Sequence, residues 1–319
     1  MKRFFITGGA GFIGSSMADR LLAQGHAVTA YDNLSTGQSR FLELARKSEN
    51  FQFVHGDLRD QETLRDAMAG HETVFHFAAN ADVRFGLQHP DRDLQNNTVG
   101  TFNVVEAMRL CGARTIAFSS TGSVYGDAKV FPTPEDAAFP IQTSLYAASK
   151  LAGEGLIQAY AAGFGIRAFI FRFVSILGER YSHGHVFDFY RKLLDNPNEI
   201  EVLGNGRQRK SYLHITDCLD AIQTAMELAQ GDVNVFNLGR DDYCEVDDSL
   251  NVICNELGLQ PKRLYTGGER GWIGDSPFIL LDATRIKSLG WSSKLSIPES
   301  VRRTLRYLRE NQWLMESRH

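Results

Sequence analysis

The chain runs to 319 residues, 43% hydrophobic and 23% charged, with a net charge of −4. That balance is ordinary for a globular protein long enough to bury a substantial core. It lacks the clustered Lys and Arg that a nucleic-acid backbone or an anionic membrane attracts, so a small-molecule partner is expected. No apolar run reaches bilayer length, and "MKRFFITGG" enters a short strand instead of a signal-peptide core, which predicts a cytoplasmic protein. Cys111, Cys218, Cys244 and Cys254 are scattered without a CxxC pair or a His at zinc-ligand spacing, so neither a metal nor a disulfide framework is expected.

In chain order, "RFFIT" reads as a strand before a helix. "AVTAYD" and "FQFVHGD" read as strands, followed by a helix around "QETLRDAM". Next come strand "TVFHFAA", helix "GTFNVVEAMRLCG", strand "TIAFSS", the helix containing "YAASK", and strand "RAFIFRF". Strand alternating with helix over this length predicts an α/β fold with a doubly wound parallel sheet, covered by helices on both faces. Ligands in such sheets sit outside the carboxyl ends of the strands. From about Ser175 the rhythm becomes irregular, and a smaller C-terminal substrate-binding α/β region is expected. "ITDCLDAIQTAMELA" and "VNVFNLG" still read as helix and strand. The expected division is therefore 1–174 for the dinucleotide-binding domain, with 213–238 returning to it, and 175–212 with 239–319 for substrate. The last helix, Ile297 to about Met315, reads as basic and amphipathic with a solvated face.

"FFITGGAGFIGSSMADRLLAQGHAVTAYDN" combines an apolar strand, a glycine-rich turn, a helix, a second strand and a terminal acid. Gly9, Gly11 and Gly14 fit GxGxxG, while Gly8, Gly11 and Gly14 fit a variant with glycines three apart. Glycines there permit a tight turn, a close approach to a pyrophosphate and helix-on-strand packing, and the helix N-terminus receives the anion. Asp32, eighteen residues beyond Gly14, can accept from the adenosine ribose hydroxyls and would repel a 2′-phosphate, which predicts NAD over NADP. Asp57 and Leu58 end the third strand and could border the adenine, although capping serves Asp57 equally well. Ala78 and Ala79 are small enough for backbone to lie against a cofactor.

Within "SLYAASKLAGEG", Tyr146 and Lys150 are four apart and share one face of a helix. The spacing alone leaves chemistry and packing both open.

Taken together, "TGGAGFIG", "DNLSTG", "GDLRD", "HFAA", "NNTVGTFNVVEA", "FSSTGSVYG", "YAASK", "RF" with "LGER", "ERG" and "LGW" resemble, in order and spacing, the extended short-chain dehydrogenase/reductase family. In particular they resemble its NAD-dependent nucleotide-sugar epimerases and dehydratases, UDP-glucose 4-epimerases among them, whose fold is of the Rossmann type. The resemblance implies that Tyr146 is the catalytic base and acid on a sugar hydroxyl. It implies that Lys150 holds the nicotinamide ribose while lowering the tyrosine pKa, and that Thr121 hydrogen-bonds the reacting oxygen. It further implies cofactor contacts at Phe12, Ile13, Asn33, Ser35, Thr36, Gly37, Phe77, Ser119 and Phe173, with Asn97 supporting the cofactor side of the helix core. Substrate contacts are implied at Arg84, Ser123, Ser175, Arg209 and the phosphate-binding Arg270, in a homodimer.

The resembling 4,6-dehydratases carry an Asp-Glu pair after the Thr, whereas this chain has Gly122 and Ser123. That difference points to 4-epimerisation, with dehydration, decarboxylation, 4-ketosugar reduction and a non-catalytic dinucleotide sensor as rivals. Other departures from the family pattern are Ser175 for Asn, Glu179 for Pro, Lys210 and Ser211 for Arg and Asp, and Gly86 for Ser.

Overall fold

The computed structural model describes residues 1–80, 88–138 and 141–316. Its contacts divide the chain into two compact units. The first comprises Met1–Gly126, Phe139–Arg172 and Ile222–Phe236, and the second Asp127–Ala138, Phe173–Ala221 and Asn237–His319.

The first unit follows the alternation in chain order: β1 (Arg3–Thr7), α1 (Phe12–Ala23), β2 (Ala27–Asp32), β3 (Phe51–His55), α2 (Gln61–Met68) and β4 (Thr73–His76). Then come α3 (Pro90–Asp93), α4 (Gly100–Cys111), β5 (Thr115–Thr121), α5 (Leu145–Phe164) and β6 (Arg167–Phe173). A strand further along, Val233–Leu238, completes a seven-stranded parallel sheet. Its order is β3-β2-β1-β4-β5-β6 and then Val233–Leu238. The order reverses at β1, which pairs with β2 on one side and β4 on the other, so a crevice opens beyond the carboxyl ends of β1 and β4. The inner strands β1, β2, β4, β5 and β6 are mostly buried, because helices cover both faces, whereas the edge strand β3 has no fully buried residue; Phe5, Val74, Ile116, Phe118 and Ile170 meet Val104, Met108 and Ile157 in the core.

Local chemistry sets the helix ends. Ser144 caps α5, its Oγ accepting from the Ala147 amide at 3.1 Å, and Gly165 ends it at φ +66°. The helical segment before α4 is less regular than its sequence suggests, for Leu94–Val99 forms a π-type turn.

The second unit is built from shorter pieces: β7 (Ser175–Leu177), α6 (His185–Asp195), β8 (Glu199–Val202), β9 (Arg209–Lys210), β10 (Tyr212–His214) and the first half of α7 (Ile215–Leu228), whose second half belongs to the first unit. After β11 (Val233–Leu238) follow β12 (Cys244–Glu245), α8 (Val246–Leu257), β13 (Lys262–Tyr265), β14 (Phe278–Ile279), α9 (Thr284–Lys287) and α10 (Ile297–Glu310). Three small sheets form there, β7 with β10, β8 with β13, and β9 between β12 and β14. Residues 127–138 are tied into this unit: the Thr133 amide donates to the Leu280 carbonyl at 2.8 Å, and the Asn237 amide to Glu135 at 2.9 Å. The terminal helix expected to run to about Met315 is interrupted, and a separate four-residue helix, α11 (Trp313–Glu316), covers its end. α10 ends at Glu310, where the Asn311 side chain bonds the Tyr307 carbonyl at 2.9 Å and the chain turns. Its charged face is solvated, and Ile297, Val301, Leu305 and Leu308 form the opposite, buried face. Among the described residues no helix is long and apolar enough to cross a membrane.

Candidate active site

Gly8 adopts φ +67°, and a Cβ there would stand 2.6 Å from the Ala78 amide nitrogen, so only glycine lets the turn after β1 lie against the backbone after β4. The Gly11 amide closes the turn on the Gly8 carbonyl at 3.0 Å, and Gly11 is also the N-cap of α1, where it presents no capping side chain. A Cβ on Gly14 would lie 2.1 Å from the Gly8 carbonyl oxygen, which fixes Phe12, Ile13 and Gly14 as the first turn directly over the loop. The result is a backbone cradle at the positive end of a twelve-residue helix, a shape and charge suited to a pyrophosphate.

Asp32 ends β2 beside this cradle. It is 8% exposed, and its carboxylate accepts from the Ala10 amide at 2.9 Å and the Leu34 amide at 2.8 Å. Burial raises its pKa while those two bonds oppose the rise. Each oxygen retains an acceptor lone pair for a hydroxyl. Gly37 packs so closely that a Cβ would be 2.8 Å from Asp32 Oδ1, and Ser35 donates its amide to Asn33 Oδ1 at 3.0 Å, so 33–37 wraps the acid. Thr36 lies exposed in the same wrap.

Asn33 Nδ2 reaches Asp57 Oδ2 at 2.9 Å, joining the ends of β2 and β3. Arg59 grips Asp57 at 2.7 and 2.8 Å and holds its carboxyl well below the usual range, so Asp57 serves the turn at the end of β3. The Leu58 carbonyl accepts from Asn103 at 2.8 Å. Phe77, Ala78 and Ala79 follow β4, with the Ala78 amide donating to Thr7 Oγ1 at 3.3 Å.

Thr121 ends β5, and its Oγ1 accepts from the Ser123 amide at 3.1 Å and contacts Ser123 Oγ at 3.2 Å. Ser119 Oγ donates to the His76 carbonyl at 3.3 Å. Tyr146 and Lys150 lie on the first turns of α5; Lys150 is 2% exposed and its Nζ stands 4.3 Å from the Phe118 ring centre. Asn97, in the π-type turn, ties these elements together: Oδ1 accepts from the Asn80 amide at 2.8 Å, and Nδ2 donates to Ser149 Oγ at 2.9 Å.

Burial pushes the Tyr146 phenol up to about 12, with the nearby Thr121 hydroxyl opposing the rise and the Asp93 charge adding to it. Burial also draws the Lys150 ammonium down to about 7, while Glu154 pushes back. In the chain alone desolvation outweighs charge attraction at Lys150, which is buried, while Tyr146 is half-buried.

In the second unit Phe173 is buried and Ser175 exposed. On β9, Arg209 and Lys210 point to opposite sides as neighbours on a strand must. Lys210 turns inward to Asp275 Oδ1 at 2.7 Å and to the Ser276 carbonyl, whereas Arg209 stays exposed with its guanidinium 4.1 Å from the Phe278 ring centre. Arg270 pairs with Asp127 at 2.9 Å and donates to the Asp275 carbonyl at 2.5 Å. Arg84 and Gly86 lie outside the described residues.

Two features escaped the sequence reading. His76, fully buried, joins Thr7 Oγ1 at 2.7 Å to Thr101 Oγ1 at 2.9 Å. Glu154, one turn beyond Lys150, is fully buried and paired with Arg172; its i+4 spacing from Lys150 was a usable signal.

The reversal at β1, the glycine cradle and the acid ending β2 define a dinucleotide-binding α/β protein of the doubly wound class. The profile of the NAD dependent epimerase/dehydratase family matches residues 4–239, and the chain belongs to that family, whose cofactor is NAD. The UDP-glucose 4-epimerase of Mycolicibacterium smegmatis is 32% identical over 315 residues, 96% of this chain and 98% of its own. Among solved structures, a UDP-galactose 4-epimerase is 36% identical with a TM-score of 0.86, covering 98% of this chain and 100% of its own. A UDP-glucose 4-epimerase from Thermotoga maritima, solved with UDP-glucose, is 31% identical with a TM-score of 0.88, covering 97% and 99%.

Proposed function

We propose that the protein is an NAD-dependent nucleotide-sugar epimerase acting at C4 of a UDP-hexose through a transient 4-keto sugar. The observation that carries the reading is the turn after Thr121. Gly122 and Ser123 stand there, and Ser123 satisfies the Thr121 hydroxyl instead of offering a carboxylate for water elimination. Oxidation and re-reduction at one carbon need no such acid.

The first unit's residues fit NAD: the cradle of Gly8, Gly11 and Gly14 would receive the pyrophosphate, Asp32 the adenosine ribose and Lys150 the nicotinamide ribose. Bound NAD supplies reversible hydride acceptance. Tyr146 removes the C4 hydroxyl proton and later returns it, and the Thr121 hydroxyl orients the same oxygen. Arg209 and Arg270 carry exposed guanidinium groups suited to a diphosphate. Holding the substrate by its diphosphate leaves the keto sugar free to present its other face, because affinity resides away from the reacting ring. A homodimer working in the cytoplasm is part of the proposal, and sedimentation of the purified protein tests the dimer.

A panel of nucleotide sugars followed by NMR tests the reading. A 4-epimer should accumulate to equilibrium without added NADH, and Tyr146→Phe should lower turnover by orders of magnitude while keeping the fold. A product that has lost water or carbon dioxide, or near-normal turnover in Tyr146→Phe, would overturn it.

A further inference from the structure

Phe118 and Ser120, two apart on β5, both face α5. Phe118 lies under the Lys150 ammonium and against Gly153, where a Cβ would be 3.1 Å from the ring. Ser120 Oγ donates to Glu154, which follows Lys150 by one helical turn and is fully buried. From β6, Arg172 donates to Glu154 through Nε at 3.0 Å and Nη2 at 2.7 Å, and through Nη1 to the Tyr125 hydroxyl at 2.7 Å. A buried carboxylate–guanidinium pair is weak support for a fold, because apolar side chains of similar volume serve as well or better. Its position one helical turn along from a buried ammonium gives it another use.

We propose that Glu154, clamped between Ser120 and Arg172 one helical turn beyond Lys150, is a positioning residue whose carboxylate keeps the Lys150 ammonium charged. It would act on cofactor retention and on Tyr146 through Lys150, without touching either ligand or phenol. The inference rests on the reading that Lys150 serves NAD.

The groups around Lys150 leave this task to Glu154. On α5 they are Tyr146 and Glu154. From β4 comes His76, which burial and the Lys150 charge itself pull down to about 3, so it stays neutral at ordinary pH and adds no repulsion. β5 presents the uncharged Phe118 and Ser120. Arg172 on β6 directs its guanidinium to Glu154 and Tyr125, and Asp93 raises the pKa of Tyr146. Burial draws the Lys150 ammonium down to about 7, and Glu154 is the charge that opposes this.

The test is a pH titration of protein labelled with ¹³C at lysine Cε and glutamate Cδ, with Lys150 assigned by its loss in Lys150→Met. In the wild type the Glu154 carboxyl signal should inflect at the Lys150 midpoint, which needs no variant to fold. Glu154→Gln should lower that midpoint by about one pH unit or more, and the pH at which purified protein sheds NAD should fall with it. The double variant Glu154→Gln/Arg172→Gln, which keeps the buried network neutral, should do the same, and Glu154→Asp should stay near the wild type. A Lys150 midpoint unmoved in a folded Glu154→Gln or double variant, or no inflection in the wild type, overturns the proposal. These titrations need no substrate. An active epimerase with an unmoved midpoint refutes this inference alone, and a shifted midpoint in a protein that converts no sugar refutes the reaction alone.

Discussion

The phenol of Tyr146 titrates near 12 in the chain alone, so at pH 7 on the order of one molecule in 10⁵ carries the phenolate a general base requires. If Tyr146 is the base, bound NAD⁺ has to lower that midpoint through the positive charge of its nicotinamide. Linkage then makes the effect reciprocal, and the phenolate form must bind NAD⁺ more tightly by the same factor. Between the bound and free midpoints, each unit of pH should therefore tighten NAD⁺ binding by about tenfold through this group. The measurement is the Kd of NAD⁺ by calorimetry from pH 7 upward in the wild type and in Tyr146→Phe. Lys150 titrates in the same range, and the difference between the two proteins isolates the phenol. Phenolate absorbance should appear in wild type on adding NAD⁺ at fixed pH and be absent in Tyr146→Phe. Identical pH dependence in the two proteins would refute the assignment of Tyr146 as a base tuned by the cofactor.

Lys150→Met should lose bound NAD during purification, checked by the ratio of absorbance at 260 and 280 nm after denaturation. Asp32→Ala should narrow the preference for NAD over NADP in paired binding assays. It should also lower thermal stability by roughly 1–3 kcal/mol, because the Ala10 and Leu34 amides lose their acceptor. Gly14→Ala should abolish NAD binding or the fold, since its methyl would meet the Gly8 carbonyl at 2.1 Å; full binding would contradict the cradle. His76 stays neutral when folded, at about 3, against 6.5 for an ordinary histidine, so the unfolded chain binds more protons in that interval. Its contribution is complete above pH 6.5 and is lost as pH falls toward 3, costing about 2 kcal/mol between pH 7 and pH 5 in urea unfolding. His76→Asn should flatten that slope.

The fingerprint was legible because the demands on it are local: a left-handed glycine, a helix packed on it and an acid at the next strand end recur at short spacing. The sheet was legible for a similar reason, since strands buried on both faces read as continuous apolar runs. Tyr146 and Lys150 could be picked out by spacing, but their desolvation depends on how deeply α5 packs, which no local pattern records. The Glu154–Arg172 pair joins residues 18 apart across a helix and a strand, and only the i+4 relation to Lys150 hinted at it. The second unit was hard to read because several strands are two to four residues long, too short for a period of two to emerge. The opposed directions of Arg209 and Lys210 follow from such a strand, which sequence alone did not reveal.

The most direct test follows a deuterium label placed at C4 of UDP-glucose. A 4-epimerase that oxidises and re-reduces the same carbon should give the C4 epimer with the deuterium still on C4 and none acquired from the solvent. Deuterium transferred to C6 with loss of water, or left on NADH with a ketosugar released, would contradict the proposed reaction.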